Sequence, residues 1–185
     1  MLTLAEGKKL VNLARDSISS FFSKSRLNLS EYEKFSAKQG VFVTLTKRGD
    51  LRGCIGFPDP VKPLYKAIFE AARLAAFDDP RFPPLSEEEL DEIRIEISVL
   101  TVPELIKAQK PEEYAKKIEI GKDGLIVRGA SGSGLLLPQV FPEWNADAKK
   151  ALEMTCEKAG MDNACWKDPK NKFYKFQAQI FNEGE

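Results

Sequence analysis

The chain has 185 residues, 43% of them hydrophobic and 30% charged, with 28 basic side chains balancing 28 acidic ones. That is the size and balance of one globular domain, or of one domain with a small lobe. Zero net charge gives no overall pull toward nucleic acid or an anionic membrane, and leaves only a local basic patch for such a role.

The chain has no histidine. Ser-His-Asp and Cys-His catalysis, Cys/His zinc sites and the two-histidine iron site are therefore excluded within it. Any general base must be Asp, Glu, Lys, Tyr, a thiolate or water. The three cysteines, Cys54, Cys156 and Cys165, are too few and too irregularly spaced for a disulfide framework or a four-thiolate metal site. They read as reduced thiols of a cytoplasmic protein, and no metal site is expected. No apolar run approaches membrane-spanning length, and the residues from Met1 to Glu6 lack the basic and apolar regions of a signal peptide.

Thr3 and Glu6 form a capping box that opens a helix running to about Phe22. Leu4, Val11, Ala14, Ile18 and Phe21 recur at helical spacing and are its expected buried stripe. The polar stretch from Ser23 to Gln39 reads as a loop with a short helical turn. Val41 to Thr46 is rich in β-formers, Lys47 to Asp50 is a turn, and Leu51 to Gly56 is the return strand of a hairpin. Asp59-Pro60 reads as the start of a second helix, with Leu64, Ile68, Ala71, Ala72 and Ala75 facing inward. The prolines of the segment from Asp78 to Pro84 then stiffen a loop.

Ser86 and Glu89 make another capping box. Ile93, Ile95, Ile97 and Val99 alternate with Arg94, Glu96 and Ser98, which predicts a strand with one buried face. Beyond Pro111 a short helix near residues 112–115, strands at 118–120, 125–127 and 135–137, and tight glycine turns predict a small antiparallel lobe over about 111–140. Asn145 is a candidate cap for a helix that Gly160 ends. Tyr174, Phe176, Ala178 and Ile180 alternate in a final strand. No βαβ repeat is present, so the expected fold class is α+β with a mostly antiparallel sheet. The larger subdomain is expected over about 1–110 and 141–185.

One segment carries chemistry. In Leu51-Arg52-Gly53-Cys54-Ile55-Gly56, strand alternation would point Arg52 and Cys54 to one face and Leu51 and Ile55 to the other, into the core. A cation beside a thiol favours the nucleophilic thiolate. Gly53 and Gly56 leave room for a backbone or a ligand to approach. Asp79 is a candidate base, and Arg81 a candidate anion clamp. Gln139, after a proline-broken strand end, offers an amide to a ligand or to local backbone groups. The bland reading stands beside each: a buried cysteine, a salt-bridged arginine, a loop anchor. The run Gly129 to Gly134 is a hairpin turn, since no Gly-Lys-Ser/Thr ending or helix follows it.

Leu51–Gly56 resembles the LRGCIG signature of the AMMECR family. Asp79-Pro80-Arg81-Phe82, Leu136-Leu137-Pro138-Gln139-Val140 and Lys158-Ala159-Gly160 resemble further motifs of that family, in order along nearly the whole chain. The resemblance implies a two-subdomain α+β fold with the signature near a cleft. It also implies a pathway shared with radical-chemistry and Memo-like proteins, but it fixes no reaction and no cofactor. Two functional readings follow. One is an enzyme with Cys54 as nucleophile or redox thiol, Asp79 as base, and Arg52, Gly53, Gly56, Arg81 and Gln139 binding a small anionic or nucleotide-like substrate. The other is a non-catalytic module that binds protein or RNA, in which the hairpin is structural.

Overall fold

A computed structural model describes residues 1–184. Helix α1 spans Leu4–Phe22, and its capping box forms as expected: the Glu6 N–H donates to Thr3 Oγ1 and the Thr3 N–H to the Glu6 carboxylate. The buried stripe runs through Leu10, Leu13, Ala14, Ser17 and Ile18. Leu4 and Phe21 were expected in it, but they are 71% and 49% exposed. Both keep the three- and four-residue spacing from buried Gly7 and Ile18, but they stand in the first and last turns of α1, at the ends of the buried stripe.

Strands β1 (Val41–Lys47) and β2 (Asp50–Phe57) form the expected antiparallel hairpin. Arg48 and Gly49 both take positive φ, 55° and 94°, the turn that suits the twist of a two-residue hairpin. Helix α2 covers Leu64–Phe77, with Pro63 at its N-cap. The expected start at Asp59-Pro60 is four residues early: Val61 N–H turns back to the Asp59 carbonyl, and Pro63 disfavours helical backbone at Lys62. The inward residues Leu64, Ile68, Ala71, Ala72 and Ala75 are all buried, as expected.

Strand β3 (Ile93–Leu100) pairs with β1, and Ile93, Ile95, Ile97 and Val99 face the core. With β8 (Ala178–Asn182) the first sheet has the order β2-β1-β3-β8. Helix α2 packs on β1 and β2, and α1 packs on α2 and β3. The two helices and the inner face of the sheet share one hydrophobic core. This unit comprises Met1–Leu100 and the segment from Gln179 onward.

The second unit is Thr101–Ala178. It holds β4 (Glu104–Leu105), α3 (Glu112–Lys116), β5 (Gly124–Gly129), β6 (Gly132–Leu136), α4 (Val140–Glu143), α5 (Ala148–Lys158) and β7 (Lys172–Phe176). Its sheet order is β4-β7-β5-β6, and α5 packs across β5 and β6. The expected lobe of 111–140 falls inside this longer unit, because β7 fills the sheet between β4 and β5 and α5 covers it. The fold is α+β, with antiparallel sheets flanked by helices.

Three local expectations change. Residues 118–120 form no strand: Lys122 and Asp123 N–H both fold back to the Glu119 carbonyl, and the Asp123 carboxylate takes the Glu119 N–H at 3.0 Å. Asp147, not Asn145, caps α5, accepting the Lys150 N–H at 2.7 Å, while Asn145 takes positive φ. The expected last strand breaks at Gln177. Its N–H goes to Thr101 Oγ1 at 2.9 Å and its carbonyl receives the Thr101 N–H at 2.8 Å, so β7 and β8 belong to different sheets.

The cysteines correct a further expectation. Cys156 and Cys165 are joined in a disulfide, with Cα atoms 5.8 Å apart. Gly160, at φ 70°, lets the chain reverse after α5 and bring the 3-10 turn Cys165–Lys167 back beside it. Cys54 is the one free cysteine. Among the described residues no helix is long and apolar enough to cross a membrane.

Candidate functional site

The position of Cys54 is set by an extra residue in β2. Lys47 pairs with Asp50 and Thr46 with Leu51, but Leu45 pairs with Gly53, so Arg52 is the unpaired residue of a β-bulge. Past the bulge every side chain of β2 changes face. Gly53 and Ile55 lie opposite Leu45 and Val43, which are core residues, whereas Cys54 lies opposite Thr44 on the other face. Leu51, expected in the core, lies opposite Thr46 and is 44% exposed.

Arg52 therefore does not accompany Cys54. Its guanidinium meets Glu89 in a fork, Nε to Oε1 at 3.0 Å and Nη2 to Oε2 at 2.9 Å, and its Nη1 donates to the Pro83 carbonyl at 2.9 Å. Glu89 also takes Lys47 Nζ at 3.2 Å and the Ser86 N–H at 3.1 Å. The Arg52 hydrogen bonds, aided by those of Ser86 and Lys47, hold the Glu89 carboxyl down at about 2 against the opposing effect of burial.

The cation at Cys54 is Arg81. Asp79 follows α2 and is 4% exposed. Its carboxylate accepts four hydrogen bonds: from Cys54 N–H at 2.8 Å, Arg81 N–H at 3.1 Å, Arg81 Nε at 2.9 Å and Arg81 Nη2 at 2.7 Å. The same Nη2 reaches the Cys54 carbonyl at 3.0 Å. Asp79 and Arg81 thus clamp the backbone of Cys54 from both sides. The Arg81 side chain remains 52% exposed and lies over the Phe82 ring, 5.5 Å from its centroid. Arg81 holds the Asp79 carboxyl well below the ordinary range, with the Cys54 N–H assisting. Asp79 in turn pushes the guanidinium up, with a smaller contribution from the Cys54 side chain. The Thr44 hydroxyl donates to Cys54 Sγ at 3.3 Å.

The two glycines serve packing rather than ligand access. A Cβ on Gly53 would stand 2.1 Å from the Ala75 carbonyl oxygen of α2. A Cβ on Gly56 would stand 2.3 Å from the Val41 carbonyl oxygen and 2.5 Å from the Phe42 ring. Gln139 belongs to the second unit, at the N-cap of α4, where its Oε1 is buried without a hydrogen-bond partner. Thr44 was not singled out by the sequence, and Glu89 was noted only as a capping residue. Counting back from the two-residue turn without a bulge pairs Thr44 with Gly53 and sets Cys54 against Val43, in the core.

Comparison with known proteins agrees with this architecture. A protein from Methanothermobacter thermautotrophicus is 50% identical over 185 residues, covering 98% of this chain and 96% of its own length. One from Methanopyrus kandleri is 48% identical over 190 residues, covering 100% and 91%. The crystal structure of an uncharacterized protein from Pyrococcus horikoshii superposes with a TM-score of 0.88 at 47% identity, over 96% of this chain and 91% of that one. The AMMECR1 family model matches residues 11–181, and the chain belongs to the AMMECR1 family.

Proposed function

We propose that this protein is an enzyme that uses the Cys54 thiol as a nucleophile on a small anionic substrate received by Arg81. The observation that carries this reading is the half-exposed Arg81 guanidinium, fixed by a buried carboxylate beside the one free cysteine. With Nε and Nη2 held by Asp79 and the Cys54 carbonyl, Arg81 keeps Nη1 for an oxygen of a carboxylate or phosphate group, and the Thr44 hydroxyl donates to the sulfur at 3.3 Å. Asp79 is assigned as an anchor rather than a base, since its four accepted hydrogen bonds keep it ionised and occupied. Arg52 is assigned to the frame, since its donors are spent on Glu89 and Pro83. The sulfur would give up its proton to water, attack an acyl carbon and expel phosphate or a thiolate with the bonding electron pair, and water would then hydrolyse the thioester to the acid and the free Cys54 thiol. The cytoplasm is the compartment proposed on the free Cys54 thiol, which stays reduced there, while the Cys156–Cys165 disulfide is of a kind uncommon in that compartment outside hyperthermophiles.

A second reading has its own observation. Arg52 is bonded to Glu89 and Pro83, the Cys54 backbone to Asp79 and Arg81, and Gly53 and Gly56 are packed against neighbouring backbone, as a non-catalytic binding module would require. Alkylation of Cys54, with and without inorganic phosphate, separates the two. The enzyme reading expects a fast reaction that phosphate slows in the native protein but not in Arg81→Ala. It also expects turnover in a screen of acyl phosphates and thioesters that Cys54→Ser abolishes at unchanged melting temperature. A Cys54 that reacts no faster in the folded than in the denatured chain would sink the enzyme reading and leave the module.

A further inference from the structure

The second unit has an open sheet edge set in a basic groove. β4 is the terminal strand of its sheet, paired on one side only, to β7. Ile106 N–H bonds the Phe173 carbonyl at 2.8 Å. By antiparallel alternation the backbone groups of Leu105 and Lys107 then face away from β7. The Lys107 carbonyl is met there by the ammonium of Lys117. A lysine side chain thus occupies a position that a further strand would fill, the usual way an edge is guarded when vacant.

Two adjoining cavities, of about 670 and 570 Å³, share Leu105, Ile106, Lys107 and Lys117 and run along this edge. Lys116 and Lys172 complete the positive lining, which also holds Lys175, tied to the Asp123 carboxylate at 3.2 Å. The acidic groups here are committed or outnumbered. Glu119 pairs with Lys122 at 2.5 Å, Glu113 accepts the Gln109 N–H at 3.0 Å, and Glu104 lies opposite Lys175 in the register. Leu105 and Val102 add exposed apolar surface, 44% and 60%.

We infer that β4 is a docking edge for an extended acidic segment of a partner protein, which adds as a fifth strand and draws its carboxylates to Lys107, Lys116 and Lys117. Backbone pairing supplies the affinity and charge supplies the selection. On binding, Lys117 exchanges the Lys107 carbonyl for a carboxylate of the incoming strand. Nucleic acid fits less well, because an open row of peptide groups offers it no matching partner while a β-strand pairs with it directly.

The probe is a capped peptide of alternating glutamate and valine, titrated into the full chain by calorimetry, with amide exchange followed at Leu105 and Lys107. Binding is expected together with slowed exchange at those two amides. Replacing glutamate by glutamine in the peptide, or Lys107→Glu with Lys117→Glu in the protein, is expected to weaken it by roughly tenfold, since attractive contacts are lost or turned repulsive. Leu105→Pro is expected to abolish it. Should that variant misfold by circular dichroism, the exchange measurement on the unaltered chain decides. No binding at millimolar peptide, equal binding of the glutamine peptide, or binding without slowed exchange overturns the inference. So does a mixed-sequence oligonucleotide that displaces the peptide completely and still binds Leu105→Pro, which would make the groove a general anion surface.

Discussion

Arg52 and Glu89 meet through two parallel hydrogen bonds across 37 residues of chain, with only 11% and 18% of their side chains exposed. The pair ties the bulge of β2 to the turn that precedes β3. Removing one partner strands the other's charge in a partly dry site. Arg52→Ala is expected to cost about 2–4 kcal/mol in urea unfolding, in the range for a broken, poorly solvated pair. Arg52→Lys should recover only part of that, because the ammonium cannot span both carboxylate oxygens. If the alanine variant unfolds at the native midpoint, Arg52 is no strut.

The same carboxylate sets an acid limit on stability. Glu89 sits at about 2 in the fold, against an ordinary value of 4.5. Its folded value is depressed, so its contribution is fully present above the ordinary value and is lost as pH falls through the folded one. Asp79 is depressed further and acts in the same direction at lower pH. Stability of the native chain should therefore decline between roughly pH 5 and pH 2. Glu89→Gln should be less stable at neutral pH by a few kcal/mol and flatter over that window. Parallel curves for the two proteins would show that Glu89 is not responsible.

Gly53 gives a sharper test of how β2 and α2 fit. A methyl group there would meet the backbone oxygen of Ala75 at 2.1 Å, and neither strand nor helix can yield without moving whole. Gly53→Ala is expected to cost roughly 3 kcal/mol or more, the upper end for overpacking a core. Gly49→Ala, at φ 94° in the turn with nothing within 4 Å, should cost only about 1 kcal/mol of backbone strain. Thermal unfolding of both variants gives the ranking, and a Gly49 effect larger than that of Gly53 would contradict the packing described.

Local signals carried most of the elements. The Thr3/Glu6 and Ser86/Glu89 boxes, the Val41–Gly56 hairpin and the alternation from Ile93 to Val99 all depend on near neighbours in sequence, and each formed. Ile95 and Ile97 are fully enclosed, as that alternation requires. What misled was non-local. The bulge at Arg52 is a choice made when β2 meets Glu89 and Ala75, and nothing within the hairpin dictates it. It exchanges the cation expected at Cys54 for Arg81, 27 residues downstream. Likewise Tyr174 to Ile180 has an unbroken strand pattern, and only the hydrogen bonds of Thr101 to Gln177 divide it between two sheets.

The Cys156–Cys165 bond was equally hidden, since a spacing of nine residues names no partner until the chain reverses at Gly160. Cys156 is fully buried at the end of α5, and Cys165 is 8% exposed in a turn that Asn171 Nδ2 holds through the Cys165 carbonyl at 2.8 Å. The closed loop is short, so its chain-entropy contribution is about 2–3 kcal/mol. The double variant Cys156→Ser, Cys165→Ser should lose about that much in urea unfolding while keeping the β5–β6 hairpin, which has its own ladder. Thiol counting gives the independent check. The denatured chain should show one reactive thiol, Cys54, before reduction and three after it. Three thiols in the denatured chain without reductant would mean that the bond does not form.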